Sequence, residues 1–422
     1  MPQRNKRVLE EIRKNNASLT TENKAVKYEK MSETAFRFYR GTSHLFWMDL
    51  YNSPDLKNFE SEHGKTWIAG DLHACNIGIF DNALGEIVFD INDFDEAMIH
   101  DFQYDLWRMA ASIGLVAREC LKISQKKEAK LIGRFIKHYL KQIHKYRDNN
   151  DALITNFTQH NTKSLLEKRL KDAKKDAGPE DMLESWTCIE DGKQKFDFEN
   201  EKLKKTDADK SREIASALPQ YGETLSGQLN FDKQYFTVKD TAQRLYAGTG
   251  SLGTERYYIL IQGASKDNKT DRILDLKLQS KPPIYYYMNT NEKQAFDKRF
   301  PSQGERFIEA NNALNLHADN HLGYIILSEG IFAVKQRPPH KADFQYEKIS
   351  KKKHLKKQCK QWGKVIATAH ARAAGNFFKN EICKIYENQL DDFQELAVRV
   401  SQNYTDTVIE DYELFIEHKG NL

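Results

Sequence analysis

The sequence has few cysteines, no long apolar run and little net charge for its length. Its five cysteines are scattered over 422 residues without a Cys-x-x-Cys pair, which argues against a disulfide framework or a zinc site and favours a reducing compartment. No stretch approaches the roughly 18 uncharged apolar residues that a membrane helix needs. A net charge of +4 gives no reason to expect a nucleic-acid-binding face. We therefore predict neither a membrane partner nor a nucleic-acid partner.

The beginning of the chain and its bulk composition point to a cytoplasmic globular protein. The first residues, MPQRNKRVLEEIRKNN, are charged and lack the apolar core of a secretion signal. Hydrophobic residues make up 39% and charged residues 30%, which is typical of a folded chain with a hydrated surface. A chain of 422 residues is too long for one simple core, so we expect two or three lobes.

The stretch TWIAGDLHACNIGIF (66–80) interrupts an apolar run with the motif Gly70-Asp71-x-His73-x-x-Asn76. We predict strands over Lys65–Phe80 and Glu86–Phe94, joined by the turn DNALGE. On a loop at a strand end, Asp71 can accept a proton from an attacking hydroxyl, and the Asn76 oxygen can bind Mg²⁺. His73 can donate to a phosphate or stiffen the loop. The alternative interpretation is a polar turn without a ligand.

A second acidic segment, VFDINDFDEA (88–97), contains Asp90, Asp93 and Asp95. Three carboxylates so close together repel one another in a dry site, and a divalent cation is the simplest compensation. Solvated turn residues and helix caps are the alternative.

A glycine-rich segment, YAGTGSLGTERYYILIQG, places Gly248, Gly250, Ser251 and Gly253 in one loop. A dinucleotide fingerprint would open a helix after a strand, whereas here a strand pattern follows. Glycines between antiparallel strands leave backbone N–H groups free to cover phosphates, as in the kinase glycine-rich loop. A glycine-rich hairpin without a ligand is the alternative.

A lysine on the next predicted strand completes this set of residues. Lys277 stands between two leucines in ILDLKLQSK, which suits a charge that contacts nucleotide phosphates. Lys281 is the competitor, although two prolines directly after it suggest a strand end. Glu305 and Glu309 lie on the following predicted helix, and we favour Glu309 as the partner of Lys277. A surface salt bridge is the alternative.

Seven motifs together resemble the bacterial family filed as domain of unknown function 2252. They are FYRGT, GDLHACNIGIF, FDINDFDEA, YDLWRMAASI, GTGSLGTERYYILIQG, GERFIEANNAL and ATAHARA. That family is grouped with protein-kinase-like folds, and its loops are similar to those of aminoglycoside and choline kinases. The resemblance implies a catalytic role for Asp71, metal ligands at Asn76 and Asp93, a Lys277–Glu309 pair, and Asp105 as a brace of the catalytic loop.

Two departures from the kinase pattern accompany the resemblance. Ala69 stands where small-molecule kinases carry histidine, so the loop must be supported differently. The catalytic loop also precedes the glycine loop, and ATAHARA, similar to the helix that normally leads into the catalytic loop, lies near the carboxyl end. The resemblance therefore implies an α+β fold of the two-lobed, protein-kinase-like kind that is circularly permuted, with a small antiparallel-sheet lobe and a larger helical lobe.

This organisation divides the chain into four regions. They are 1–130 with the catalytic loop of the large lobe, 131–230 as a charged helical segment of that lobe, 231–345 as the glycine-loop sheet lobe, and 346–422 as helices completing the large lobe. The expected function is ATP- and Mg²⁺-dependent transfer of phosphate to an unidentified small-molecule or protein hydroxyl. An AMP transferase or a non-catalytic nucleotide-binding pseudokinase could use the same site, and a metallophosphoesterase lacks its later motifs here. All of these kinase-like interpretations require Gly250 and Asn76 to face each other across one cleft.

Overall fold

The computed structural model describes residues 2–163, 165–176, 178–225, 233–248, 250, 252–342 and 344–422. The helices are α1 (Pro2–Asn15), α2 (Thr21–Ser32), α3 (Ala35–Gly41), α4 (Ser43–Leu50), α5 (Gln103–Leu121), α6 (Gln125–Lys145), α7 (Leu165–Asp176), α8 (Pro179–Glu184), α9 (Ala208–Thr224), α10 (Thr290–Arg299), α11 (Gln303–Leu314), α12 (Lys352–Ala373), α13 (Asn376–Asn388) and α14 (Leu390–His418). The strands are β1 (Lys65–Ile68), β2 (Ile77–Asp81), β3 (Ile87–Ile91), β4 (Met98–Asp101), β5 (Thr187–Glu190), β6 (Lys193–Phe196), β7 (Leu203–Lys205), β8 (Val238–Arg244), β9 (Arg256–Ile261), β10 (Arg272–Leu278), β11 (Gly323–Leu327) and β12 (Gly330–Gln336).

The largest sheet is antiparallel and has six strands in the order β11-β12-β10-β9-β8-β7. The β-branched and aromatic stretch after residue 235 forms β8, β9 and β10, and β11 and β12 form a hairpin. Lys277 of β10 is paired with Arg256 of β9 and with Ala333 of β12. This sheet and the surrounding helices confirm the predicted α+β class.

The region of the Asp71 and Asp93 motifs contains two short pairs of antiparallel strands. Strand β1 pairs with β4, and β2 pairs with β3 with Asp81 opposite Ile87. The predicted hairpin across 81–86 is confirmed, but the prediction of one strand over Lys65–Phe80 is wrong. Gly70 has a φ of +79°, and residues 74–76 form a 3₁₀ turn, so the backbone leaves the extended conformation between β1 and β2.

The segment 131–230 contains strands as well as the predicted helices. Helix α6 packs against α12, but β7 pairs with β8 at the edge of the large sheet and α9 packs on β11. On α9, Ile214, Leu218 and Tyr221 are buried in one cluster with Leu274 and Phe332 of the sheet. Because the segment is rich in charged residues, the sequence did not predict the apolar face with which α9 packs on the sheet.

Helix α5 is the centre of the helical core. Every residue from 103 to 117 is buried, and helices α6, α12 and α14 all contact α5. The motif YDLWRMAASI therefore lies wholly within this buried helix. Over the described ranges, we find no helix with both the length and the apolar character needed to cross a membrane.

Asp101, directly before α5, provides a pH-dependent prediction. Its Oδ1 accepts a hydrogen bond from the Gln103 backbone N–H at 2.9 Å, whereas its buried Oδ2 has no partner among the described residues. Burial raises the pKa of Asp101 from its ordinary value of 3.8 to about 7. Because the folded state then binds the proton more tightly than the unfolded chain, this stabilisation is complete below about pH 4 and is lost as the pH rises toward 7.

Asp101→Asn does not ionise at this position. We therefore expect the difference in unfolding free energy between Asp101→Asn and the wild type to change by roughly 2–4 kcal/mol in favour of the variant when the pH rises from 4 to 8. Urea unfolding at the two pH values measures this difference. Asp392→Asn, at an exposed position on α14, is the control and should show no such trend. A pH-independent difference between Asp101→Asn and the wild type would contradict the prediction.

Candidate active site

A cavity of about 290 Å³ lies between the loop 69–76 and the glycine loop. The first loop contributes Asp71, His73 and Asn76 to its lining, and the glycine loop contributes Gly248 and Gly250. Asp93 and Lys277 also line this cavity. The two loops, distant along the chain, therefore share one cleft, as the sequence interpretation requires.

Asp71 is held by a buried arginine on α5. Arg108 Nε donates to Asp71 Oδ1 at 2.8 Å, and the same guanidinium stacks over the Tyr39 ring at 3.9 Å from its centroid. Burial raises the pKa of Asp71 to about 6, although the positive charge of Arg108 acts in the opposite direction. The sequence interpretation missed Arg108, and an arginine within an otherwise apolar helix is the signal that could have revealed it.

The loop that carries Asp71 is supported from α5 and α12. Asp105 accepts hydrogen bonds from the backbone N–H of Ala69 at 2.8 Å and of Gly70 at 3.0 Å. His370 Nε2 lies 3.2 Å from the same carboxylate, and Tyr139 bonds the other ring nitrogen at 2.9 Å. The predicted bracing role of Asp105 is confirmed. His370 thus supports the loop from α12 through Asp105.

Gly70 allows the two acidic segments to approach each other closely. A Cβ at this position would lie 2.3 Å from the carbonyl oxygen of Glu96, and its φ of +79° disfavours other residues. Glu96 itself accepts from Ser43 Oγ at 2.6 Å. Burial, together with the charge of Asp71, raises the pKa of Glu96 to about 8, so this carboxyl is largely protonated at neutral pH.

His73 and Asn76 both use one side-chain atom to stiffen the loop. His73 Nδ1 accepts from the Cys75 backbone N–H at 3.2 Å, and its Nε2 lies 3.7 Å from Asp71 Oδ2. Burial lowers the pKa of His73 well below its ordinary value, so the ring is neutral. Asn76 Nδ2 donates to the Asp71 carbonyl at 2.7 Å, and its Oδ1 accepts no hydrogen bond from the described residues.

Lys277 pairs with Asp95 rather than with a glutamate. Its Nζ contacts Asp95 Oδ2, and Gln279 Nε2 donates to the other oxygen of that carboxylate at 3.1 Å. Asp93 lines the cavity and forms no ion pair among the described residues. One carboxylate of the acidic segment thus positions the lysine, while the other faces the cavity.

The predicted Lys277–Glu309 pair is not formed. Glu309 is partly exposed and pairs with Arg299 of α10, and Glu305 lies 3.3 Å from the hydroxyl of Tyr324. The inward face of α11 instead carries Arg306, which donates to the carbonyl oxygen of Asp95 at 2.7 Å. The helix was predicted correctly, but its rotation about its own axis was not.

The glycine loop is covered by the amino-terminal helices. Lys27 Nζ donates to the Gly250 carbonyl at 3.0 Å, and Lys30 Nζ donates to the Tyr246 carbonyl at 3.1 Å. A Cβ at Gly253, where φ is +86°, would lie 2.6 Å from Leu19. Gly253 therefore packs under this covering, and Ser251 lies outside the described residues. The sequence interpretation assigned residues 1–30 no contact with the glycine loop and so missed these hydrogen bonds.

The oxygen atoms of Asn76 and Asp93 fit a Mg²⁺ ion held jointly with phosphates. No group of three His, Cys, Asp or Glu side chains converges as a metal site within the described part of the chain. Mg²⁺, however, usually takes one or two protein carboxylates and completes its shell with water and phosphate oxygens. The unused Oδ1 of Asn76 and the unpaired carboxylate of Asp93 provide such a donor set.

Comparison with known proteins gives one informative result. No curated protein and no solved structure matches this chain significantly. Residues 20–418 match the family model described as "Uncharacterized protein conserved in bacteria (DUF2252)". Because this match covers nearly the whole chain, the protein belongs to the DUF2252 family.

Proposed function

We propose that this protein is an ATP- and Mg²⁺-dependent phosphotransferase with a two-lobed, circularly permuted kinase-like fold. The observation that carries the proposal is the single cavity lined by Gly248 and Gly250 on one side and by Asp71 and Asn76 on the other. Lys277 supports it further, because it stands on the strand after the two that flank the glycine loop, the position of the kinase lysine.

Asp71 would orient the acceptor hydroxyl and accept its proton. Arg108 fixes the carboxylate, and Asp105 fixes the backbone that carries it, so little reorganisation is needed when the acceptor binds. Asn76 and Asp93 would hold Mg²⁺, which when bound neutralises phosphate charge. Lys277, positioned by Asp95, would contact the nucleotide phosphates, with backbone N–H groups of the glycine loop above them.

The permutation is supported by the position of α12. In the expected kinase order, the helix similar to ATAHARA runs directly into the catalytic loop. Here α12 ends at Ala373, yet its His370 contacts Asp105 and the His370 carbonyl accepts from Thr66 of β1 at 3.3 Å. The helix thus adjoins the loop in space without preceding it in the chain.

Labelled ATP provides the direct test. The purified protein, Mg²⁺ and ATP labelled at either the α- or the γ-phosphate would be incubated with a bacterial extract that supplies small-molecule and protein acceptors. We expect γ-label to be transferred to an acceptor. Transfer of the α-label would instead identify an AMP transferase, and ATP binding without transfer of either label would favour a pseudokinase.

Replacement of Lys277 should weaken the use of ATP. We expect Lys277→Met to lower kcat/KM for ATP by about 10²-fold, because a charge that faces the phosphates is lost. Steady-state kinetics measure this loss, and Lys266→Met, at an exposed lysine of the β9–β10 turn, is the matched control. Unchanged kinetics in a folded Lys277→Met variant would remove Lys277 from the proposed site.

A further inference from the structure

The outward sides of α6 and α12 together form a strongly basic surface. Along α6 the cations recur at steps of three and four residues, and along α12 at steps of four, so each set forms a stripe on one side of its helix. The basic surface is defined by these residues: Arg134, Lys137, Lys141 and Lys145 of α6, and Lys356, Lys360 and Lys364 of α12.

The two stripes adjoin because the helices approach each other closely. Helix α12 packs along α6, and a Cβ at Gly363 would lie 2.6 Å from the carbonyl oxygen of Phe135. Arg134 Nε donates to the Lys356 carbonyl at 3.1 Å, which holds the beginning of one stripe beside the other. The pKa of His138 is lowered to about 4, first by burial and then by positive charges from both helices. The stripes therefore act as one field.

Acidic side chains do not offset this field. Helix α12 contains no acidic residue, and the one acidic residue of α6, Glu128, is buried and paired with Arg118. On the adjoining α13, the carboxylate of Glu387 is taken up by His144 and Arg147. Within the described part of the chain, no member of the basic surface forms an ion pair.

Lys364 shows directly that like charges gather here. Burial lowers its pKa, and the charges of Lys360, Lys145 and Lys163 lower it further. The net charge of +4 does not reveal this local concentration, because acidic residues elsewhere in the chain balance it. The prediction of no nucleic-acid partner rested on that net charge. A surface of one sign attracts partners of the opposite sign.

The composition of the surface indicates the kind of partner. None of the exposed large apolar side chains lies on α6 or α12, both of which the structure describes in full. A protein interface normally has an apolar centre poor in lysine, and a helix that inserts into a membrane surface carries Trp, Phe or Leu on its exposed side. Neither kind of partner finds such side chains here.

The aromatic residues of the two helices point to a double-stranded rather than a single-stranded partner. Phe135, Tyr139 and Trp362 are fully buried, so their rings cannot stack on unpaired bases. Lysines without exposed apolar or aromatic neighbours suit the phosphate backbone of a double helix, whose contacts position a protein without reading the sequence.

We propose that the basic surface binds the phosphate backbone of double-stranded nucleic acid without sequence preference. At a rise of about 1.5 Å per residue, the stripe from Arg134 to Lys145 spans roughly 16 Å, and a duplex carries one charge per ~1.7 Å of its axis. Several phosphates therefore lie within reach. None of these side chains lines the cavity that contains Asp71, so the duplex is a binding partner and not the phosphate acceptor.

Fluorescence anisotropy with the full-length protein and a labelled DNA duplex of about 20 base pairs, over a range of salt concentrations, provides the test. The variant Lys137→Gln/Lys141→Gln/Lys356→Gln removes exposed charges of the basic surface. We expect it to weaken binding about tenfold or more, and to reduce the slope of log affinity against log salt by about 2 to 3. A duplex of scrambled sequence should bind equally well, and tighter binding of an RNA duplex of the same sequence would assign the partner to RNA.

Lys204→Gln/Lys266→Gln/Lys298→Gln is the matched control, because it removes the same net charge at exposed lysines outside α6 and α12. Its affinity for the duplex should stay within about twofold of the wild type, since distant surface charges are screened. The lysines replaced in the basic surface lie among like charges, so that variant should melt at the wild-type temperature or higher.

Absence of duplex binding by the wild type at low salt, or an equal loss of affinity in the two triple variants, would overturn the proposal. Binding to phosphatidylserine vesicles that requires the basic surface, in a protein that binds no duplex, would assign the surface to a membrane and equally reject it. Duplex binding that is lost only in the basic-surface variant, in a protein that transfers no phosphate, would support this surface while contradicting the proposed function.

Discussion

Asp71→Asn is expected to reduce phosphate transfer by about 10²- to 10⁴-fold, the usual contribution of a catalytic base. The amide is nearly the same size as the carboxylate, and its oxygen can still accept the hydrogen bond from Arg108 Nε. It cannot, however, take a proton from the acceptor hydroxyl. Affinity for ATP should change little, because Lys277 and the glycine loop remain in place.

Three measurements isolate this effect: turnover with γ-labelled ATP, ATP affinity by calorimetry, and the melting temperature. Some loss of stability is expected, because the buried guanidinium of Arg108 loses its negatively charged partner. Asp392→Asn, an exposed substitution of the same chemical kind, should leave turnover unchanged. Turnover at the wild-type level in folded Asp71→Asn would eliminate Asp71 as the base.

Asp105→Ala is expected to produce the largest loss of stability, about 3–5 kcal/mol. The substitution removes the acceptor of the Ala69 and Gly70 backbone N–H groups and the partner of His370, all in a fully buried environment. Water cannot easily replace these bonds. The loop that holds Asp71 should therefore loosen, and turnover should fall although Asp105 contacts no substrate.

Asp105→Asn provides the graded comparison, because one oxygen remains to accept a single backbone hydrogen bond. Its stability, measured by urea unfolding, should lie between those of Asp105→Ala and the wild type. In both variants kcat should fall more than the affinity for ATP. Equal stability of Asp105→Ala and the wild type would contradict the bracing role.

Some residues of the site could be predicted from the sequence because the pattern of the residues around them indicates the local structure on which they lie. Gly70 and Asp71 stand at the end of an apolar run, and Lys277 stands between leucines on a strand, so their positions followed from local patterns. Their convergence across one cavity followed from the family resemblance together with the requirements of nucleotide binding. Element type was predicted well because strand and helix periodicity is a local property.

The parts that could not be predicted depend on contacts between distant segments. Glu309 and Arg306 lie on the same helix, and only its packing decides which of them turns inward. Arg108 is paired with Asp71 by tertiary structure alone. The charged composition of 131–230 likewise gave no indication that β7 would extend the large sheet.

The support of the Asp71 loop by His370 has a consequence for biosynthesis. Asp105 and His370 are separated by 265 positions, so the imidazole leaves the ribosome long after the carboxylate does. Until then, the emerging amino-terminal half lacks the helix that closes its core, and contacts of such long range form slowly. A nascent chain that stops before α12 should thus be unable to assemble the cleft, however much of the glycine loop and acidic segments it already contains.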